Sequence, residues 1–215
     1  MTFEDIRRRI EIEYVAGGYG LGWRLLASPI SCLNECRVAF IGLNPGGNED
    51  TGHARLAMDV GSAYVEERWA GYAPGQSPLQ RQVQRLFRNL EVEPPHVLAG
   101  NLVPFRSPDW AALPNKTRAL AFGNTIWTEL LRRAEPELIV TMGGTVFESL
   151  AAQLGLTRMK RVASGWGQVA IRYGEADGRK MVGLPHLSRF ALLGRPESER
   201  PLKMAFGGFW KGELR

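Results

Sequence analysis

The chain has 215 residues, 44% of them hydrophobic, enough to bury a sizeable core and, at roughly 100–200 residues per domain, to form a single α/β domain. Its 27 Lys+Arg against 22 Asp+Glu give a net charge of +5, which is compatible with a polyanionic partner. The cysteine pair, Cys32 and Cys36, is too small for an iron–sulfur cluster or a Cys-only zinc site, and no apolar run approaches a membrane span.

The first residues, Met1-Thr-Phe-Glu-Asp-Ile-Arg-Arg-Arg, lack an apolar signal core, so a soluble, cytoplasmic protein is expected, with Cys32 and Cys36 as free thiols. Phe3 to Val15 reads as a charged amphipathic helix that ends at Gly17-Gly18. A loop-rich approach from Tyr19 to Asn34 leads into Val38 to Ile41, a short apolar run suited to a strand buried on both faces. Asn44-Pro45-Gly46-Gly47 then forbids regular structure. Asn48 to Pro78 is polar and without clear period, and a loop of that length is usually functional or holds short helices.

Ser77-Pro78 caps a helix over Leu79 to Leu90. Val97 to Val103 is a second strand run, Thr117 to Arg133 a helix stopped by Glu135-Pro136, and Leu138 to Met142 a third strand. A helix from Thr145 to Leu154 follows. Trp166 to Tyr173 and Lys180 to Leu184 read as strands joined by a Gly174–Gly178 turn. Arg195 to Arg200 is mixed in charge and reads as a polar connector, while Phe206, Phe209 and Trp210 can pack on the core. The strand–turn–helix rhythm predicts one three-layer α/β/α sandwich around a mostly parallel sheet of about four strands.

Asn44, Asn101 and His186 each fall at the carboxyl end of a different predicted strand. In an open α/β sheet those ends share one edge, where ligands bind. Each residue also has a plain structural reading. Asn44 can make a turn bond before Pro45, Asn101 can tie down the loop at Pro104, and His186 can be a hydrogen-bonded structural histidine. His53 and His96 are separated in sequence, with no acidic neighbour at ligand spacing, so no metal site is expected.

Gly42-Leu-Asn-Pro-Gly46 resembles the first motif of the uracil-DNA glycosylase superfamily in its asparagine version. Gly100-Asn-Leu-Val-Pro-Phe-Arg-Ser107 resembles the segment carrying that family's base-reading asparagine. Leu138-Ile-Val-Thr-Met-Gly143 is similar to the third strand of its iron–sulfur branches, and Pro185-His-Leu-Ser-Arg189 to a degraded second motif. The resemblance covers Arg37 to Phe190, in order. It implies a monofunctional DNA glycosylase, without metal or cofactor, that removes uracil or a related deaminated base from single- or double-stranded DNA.

On that resemblance Asn44 orients the attacking water and His186 stabilises charge on the departing base. Asn101 pairs with uracil edges that cytosine presents with opposite polarity. Gly42, Leu43, Pro45 and Gly46 would line the base pocket, with Met58 or an aromatic such as Tyr64, Trp69 or Tyr72 in place of the family's stacking phenylalanine. Gly47, Arg106, Ser107 and Ser188 would meet phosphates, and Arg189 or Phe190 would enter the duplex as a wedge. The departures are His-Leu-Ser for the usual His-Pro-Ser, the missing phenylalanine and the missing cluster cysteines. They imply altered base choice or low activity. A non-catalytic module that binds uracil-containing or single-stranded DNA is the second reading, and an enzyme acting on a free nucleoside or nucleotide the third.

Overall fold

The computed structural model describes residues 2–50 and 52–212. Its elements in chain order are α1 (Phe3–Ala16), β1 (Trp23–Arg24), β2 (Val38–Gly42), β3 (Ala54–Arg55), α2 (Ala63–Glu66), α3 (Pro78–Asn89) and β4 (Leu98–Asn101). There follow α4 (Lys116–Ala134), β5 (Leu138–Met142), α5 (Gly144–Gln153), β6 (Thr157–Ala163), β7 (Ala170–Ala176), β8 (Arg179–Leu184) and α6 (Pro196–Phe206).

The starts of α1 and α3 are written into their sequences as reciprocal caps. The Asp5 N–H donates to the Thr2 hydroxyl at 3.1 Å while the Thr2 N–H donates to the Asp5 carboxylate at 2.7 Å. At α3, the Gln80 N–H donates to Ser77 Oγ at 3.3 Å and the Ser77 N–H to Gln80 Oε1 at 3.1 Å. Gln80 Nε2 also donates to the carbonyls of Ala63 and Glu67, at 3.0 and 2.7 Å, and so fastens α2 to α3.

The main sheet has six strands in the order β4-β2-β5-β8-β7-β6, parallel from β4 through β8 and antiparallel beyond. Side chains of a strand alternate between faces, and here both faces are covered. Val38, Phe40, Leu138, Val140 and Val182 pack with Val83, Leu86 and Phe87 of α3 and with Leu202 and Phe206 of α6. Ala39, Ile41, Ile139 and Met181 pack on the other side with Ile6 and Ile10 of α1, Trp127 of α4 and Phe147 of α5. This is the expected three-layer α/β/α sandwich, with a wider sheet than the expected four strands.

Five of the six strands overlap the apolar runs read from the sequence, and the sixth is β6, whose residues are exposed except for Val162. An edge strand carrying Arg158, Lys160 and Arg161 buries no alternating apolar face, and so leaves no periodic signal. Trp166 lies in the β6–β7 turn rather than in a strand, and Gly174 sits inside β7. The hairpin turns instead on Asp177 and Gly178, both at positive φ (53° and 71°), the geometry of a tight two-residue connection.

The expected connector at Arg195 to Arg200 is instead the start of α6. Pro196 occupies its first turn with Glu197 and Glu199, all favourable there. Pro201 removes one internal hydrogen bond, and the burial of Leu202, Ala205 and Phe206 offsets that loss. Beyond the helix, Trp210 stacks on Phe206 with centroids 5.3 Å apart and donates to Glu199 at 2.9 Å. The tail therefore closes the core. The long stretch after Asn48 contains β3, which pairs with β1, and α2.

Candidate active site

In the strand order β4-β2-β5-β8, the connections leaving β2 and β5 diverge, and in open α/β sheets such a divergence is where ligands bind, at the carboxyl ends of the strands. The register aligns Gly42 with Asn101 and Met142 with Leu184. Asn44 and His186 each lie two residues beyond that line. β8 is two strands away from β2, a gap of roughly 10 Å at the usual strand spacing.

The loop after β2 is zipped to the loop after β4. Leu102, Val103 and Ser107 N–H groups donate to the carbonyls of Gly42, Leu43 and Pro45, at 2.8, 2.8 and 3.2 Å. Asn44 is half-buried in this zipper. Its Nδ2 donates to Ser107 Oγ at 2.8 Å and points at the Phe105 and Pro45 carbonyls, both at 3.3 Å. Ser107 Oγ spends its own proton on the Asp109 carbonyl at 2.6 Å, so toward Asn44 it acts as an acceptor. These acceptors fix which way the amide faces. Oδ1 takes no hydrogen bond among the described residues.

Asn101 is held by its backbone, which leaves its side chain uncommitted. Its N–H donates to the Leu25 carbonyl at 2.9 Å and its carbonyl accepts from Trp127 Nε1 at 2.7 Å. The amide makes no hydrogen bond among the described residues and lies over β2, its Oδ1 3.2 Å from where a Cβ on Gly42 would stand. A side chain at position 42 would press on it.

His186 is half-buried, with Nδ1 2.8 Å from Ser188 Oγ. Burial, together with the Arg189 charge, holds its pKa below the ordinary histidine value, so the ring is neutral at pH 7. Its carbonyl accepts from the N–H groups of Arg189 and Phe190, at 2.9 and 3.0 Å, folding 186–190 into a tight turn. Leu187, standing where the motif usually has proline, is buried in the α3–α6 core. An apolar anchor thus pins this loop where ring rigidity would otherwise do so.

Several expected roles change. Met58 is a core residue, 8% exposed, with its sulfur 2.9 Å from Arg24 Nη2. Tyr64 is 4% exposed, packed edgewise against Phe40, Trp69 and Phe87, and burial raises its pKa. Neither ring nor thioether is open to a base. Ser107 is buried and committed to Asn44 and Asp109, so its hydroxyl is closed to a phosphate.

Phe190 packs edge-on against Trp166, whereas Arg189 and Ser188 are exposed. Leu43 and Pro45 are half-buried and Gly46 is exposed. Arg106 lies across the glycines: its Nε donates to the Gly46 carbonyl at 3.2 Å, and a Cβ on Gly47 (φ 146°) would collide with its guanidinium. His53 is pushed below its ordinary pKa by burial and by Arg24 and Arg106. Among the described residues no His, Cys, Asp and Glu side chains gather in groups of three or more.

Two supporting features are invisible to motif reading. Gln82 pairs with the backbone of Leu193, donating to its carbonyl at 3.1 Å and accepting from its N–H at 2.9 Å, which moors the far end of the His186 loop to α3. Arg24, 7% exposed, meets Glu67 at 2.6 Å beneath the segment that follows the first motif. In the sequence Gln82 and Arg24 look like ordinary polar residues, and it is their burial in the fold that reveals these roles.

Residues 29–205 match the sequence model described as the Uracil DNA glycosylase superfamily. No curated protein matches the chain. Among the described residues no helix is long and apolar enough to cross a membrane.

Proposed function

The chain belongs to the uracil-DNA glycosylase superfamily, a glycosylase-type hydrolase with DNA as its partner, and we propose that it is monofunctional and excises uracil or a related deaminated base. The observation that carries this reading is the fixed amide of Asn44, anchored through Nδ2 with Oδ1 left as an acceptor.

The N-glycosidic bond breaks toward an oxocarbenium-like sugar and a departing base anion, and water supplies the hydroxyl at the anomeric carbon. Asn44 Oδ1 accepts a hydrogen bond from that water and aims its lone pair. An amide is too weak a base to take the proton, so the contribution is orientation, and the proton leaves to solvent.

His186 acts on the base. Ser188 Oγ lies 2.8 Å from Nδ1, and in the tautomer this role requires the hydroxyl donates to Nδ1 while the ring proton sits on Nε2 and is donated to uracil O2 as charge develops there. Such oxyanion donors contribute about 2.7–4 kcal/mol. Asn101, a donor and an acceptor in one plane, reads O4 and N3–H, and cytosine at the same position leaves both halves mispaired. Gly42, Leu43, Pro45 and Gly46 give the base its backbone wall. Gly47 and Arg106 lie beside the phosphate path with Ser188, and Arg189 is the wedge.

The test is incubation with single- and double-stranded uracil oligonucleotides, followed by alkaline scission at abasic sites. Wild type is expected to cut, and Asn44→Ala and His186→Ala to lose most of the rate. Equal cutting by both variants would remove these residues from the mechanism. DNA binding by wild type without base release would instead mark a binding module.

A further inference from the structure

Beside the His186 loop lies a groove of about 480 Å³ that the base-excision chemistry does not use. Its walls come from the segment before α3, the first turns of α3, the Trp166 turn and the exposed side of residues 187–191. No carboxylate lines it, whereas Arg81, Arg85 and Arg189 do. Arg85 is partly committed, donating to the Leu193 carbonyl at 2.9 Å, and among the described residues the Arg81 guanidinium uses only Nε, on Gln76 at 3.1 Å. The groove therefore favours an anion: Arg189 is exposed and makes no side-chain hydrogen bond among the described residues, and Arg81, on the α3 wall next to the segment that carries Tyr72, keeps both terminal nitrogens open.

The aromatic residues differ in the same way. Trp166 already has Arg195 over its ring at 4.7 Å and Phe190 against it. Tyr72 is 47% exposed and has no ring partner among the described residues. A large exposed aromatic next to uncovered guanidinium is the combination that takes a base on one side and its phosphate on the other. A paired base keeps both of its faces within the duplex stack, so this contact requires an unpaired nucleotide.

We propose that the groove is a second nucleotide subsite, which holds one unpaired nucleotide of the strand next to the excised base. Tyr72 stacks the base and Arg81 meets the phosphate. Ser188 and Arg189 belong both to the groove and to the His186 loop, so an occupied groove presses directly on the loop that presents the imidazole. The inference deepens the glycosylase reading and rests on it. Its consequence is a preference for single-stranded substrate.

The experiment measures binding of undamaged single-stranded and duplex oligonucleotides by fluorescence anisotropy across a salt series, with uracil release followed in parallel. Wild type is expected to favour the single strand. Tyr72→Ala should weaken that binding roughly tenfold, the scale of one lost base stack, without changing the salt slope, and Tyr72→Phe should restore it. Arg81→Ala should lower the slope by about 0.7, the value of one phosphate contact on a single strand. Wild-type-like binding by both variants, while uracil is still released, overturns the subsite and spares the glycosylase. The stated losses with no uracil released from any oligonucleotide overturn the glycosylase and leave the groove standing. Both positions are exposed, and a melting temperature equal to wild type identifies these changes as surface effects.

Discussion

Asn44 Nδ2 lies 2.8 Å from Ser107 Oγ, and that hydroxyl in turn donates a hydrogen bond to the Asp109 carbonyl at 2.6 Å. Two short loops from neighbouring strands thus hold one amide in one orientation. Removing the hydroxyl while keeping the amide tests whether orientation matters. Ser107→Ala should lower the single-turnover rate roughly fivefold, the equivalent of one hydrogen bond of about 1 kcal/mol, with little change in substrate affinity. Asn44→Ala should cost on the order of a hundredfold, the usual scale for a misplaced reactant. Asn44→Asp should not restore the rate, because its second oxygen would face the Pro45 and Phe105 carbonyls now 3.3 Å from Nδ2.

The His186 ring predicts a pH dependence of definite sign. Burial, then Arg189, lowers its pKa, so the neutral donor persists at pH values where a free histidine would already charge. Activity should hold through neutrality and fall on an acid limb below the ordinary histidine value. The unfolded chain takes up this proton more readily than the fold does. The stability contributed by the neutral ring is therefore complete above that ordinary value and is lost as the pH drops beneath it. Arg189→Ala removes one cause of the shift, so the acid limb of the rate profile should move to higher pH. A limb that stays in place would show that the guanidinium does not act on the imidazole.

The residues at the strand ends were readable because a buried parallel strand is a plain apolar run, and Gly42 and Asn101 each end one. Helix starts were readable where the caps were local, at Thr2 and Ser77. What escaped was set by tertiary partners. β6 has no buried face to give it a period, and α6 carries a proline that suggests a break until the burial of Leu202 and Phe206 is seen. Met58 and Tyr64 were legible as large side chains in a polar loop, but only the packing of α2 on α3 tells that they face inward. Ser107 looked like a hydroxyl for phosphate because its acceptor and donor lie in the backbone and in Asn44. No spacing rule records either.

The cysteines should be inert in the native state. Burial, with the neighbouring Cys36 thiol, pushes Cys32 up to about 12, and burial pushes Cys36 up to about 11. The thiolate is the reactive form, and at pH 8 almost none is present or accessible. A thiol reagent should label neither residue until denaturant is added, and both afterwards. Fast labelling in the native protein would mean that the turn containing Cys32 opens far more often than its packing suggests.

The Arg24–Glu67 pair should matter for stability and little for chemistry. Arg24 is 8% exposed at the side chain and Glu67 21%, with 2.6 Å between them. Trp69 Nε1 also donates to Glu67, at 3.0 Å, and Arg55 at 3.3 Å. Burial alone would raise the Glu67 pKa, but the Arg24 hydrogen bond and charge, Trp69 and Arg55 together bring it below the usual value. A depressed carboxylate stabilises the fold above its unfolded pKa, and that contribution disappears as acid titrates it through the lower folded value. Glu67→Gln removes the charge but keeps the shape, so Arg24 is left buried beside the Leu26 carbonyl and the Met58 sulfur with no counter-ion. Breaking one side of a buried pair costs about 3 kcal/mol or more, so the variant should melt well below wild type at pH 7. As the pH falls below the ordinary glutamate value the gap should narrow, since the unfolded wild-type chain then takes up a proton that folded Glu67 still resists. A gap that stays constant with pH would mean that the loss comes from packing and not from the ion pair.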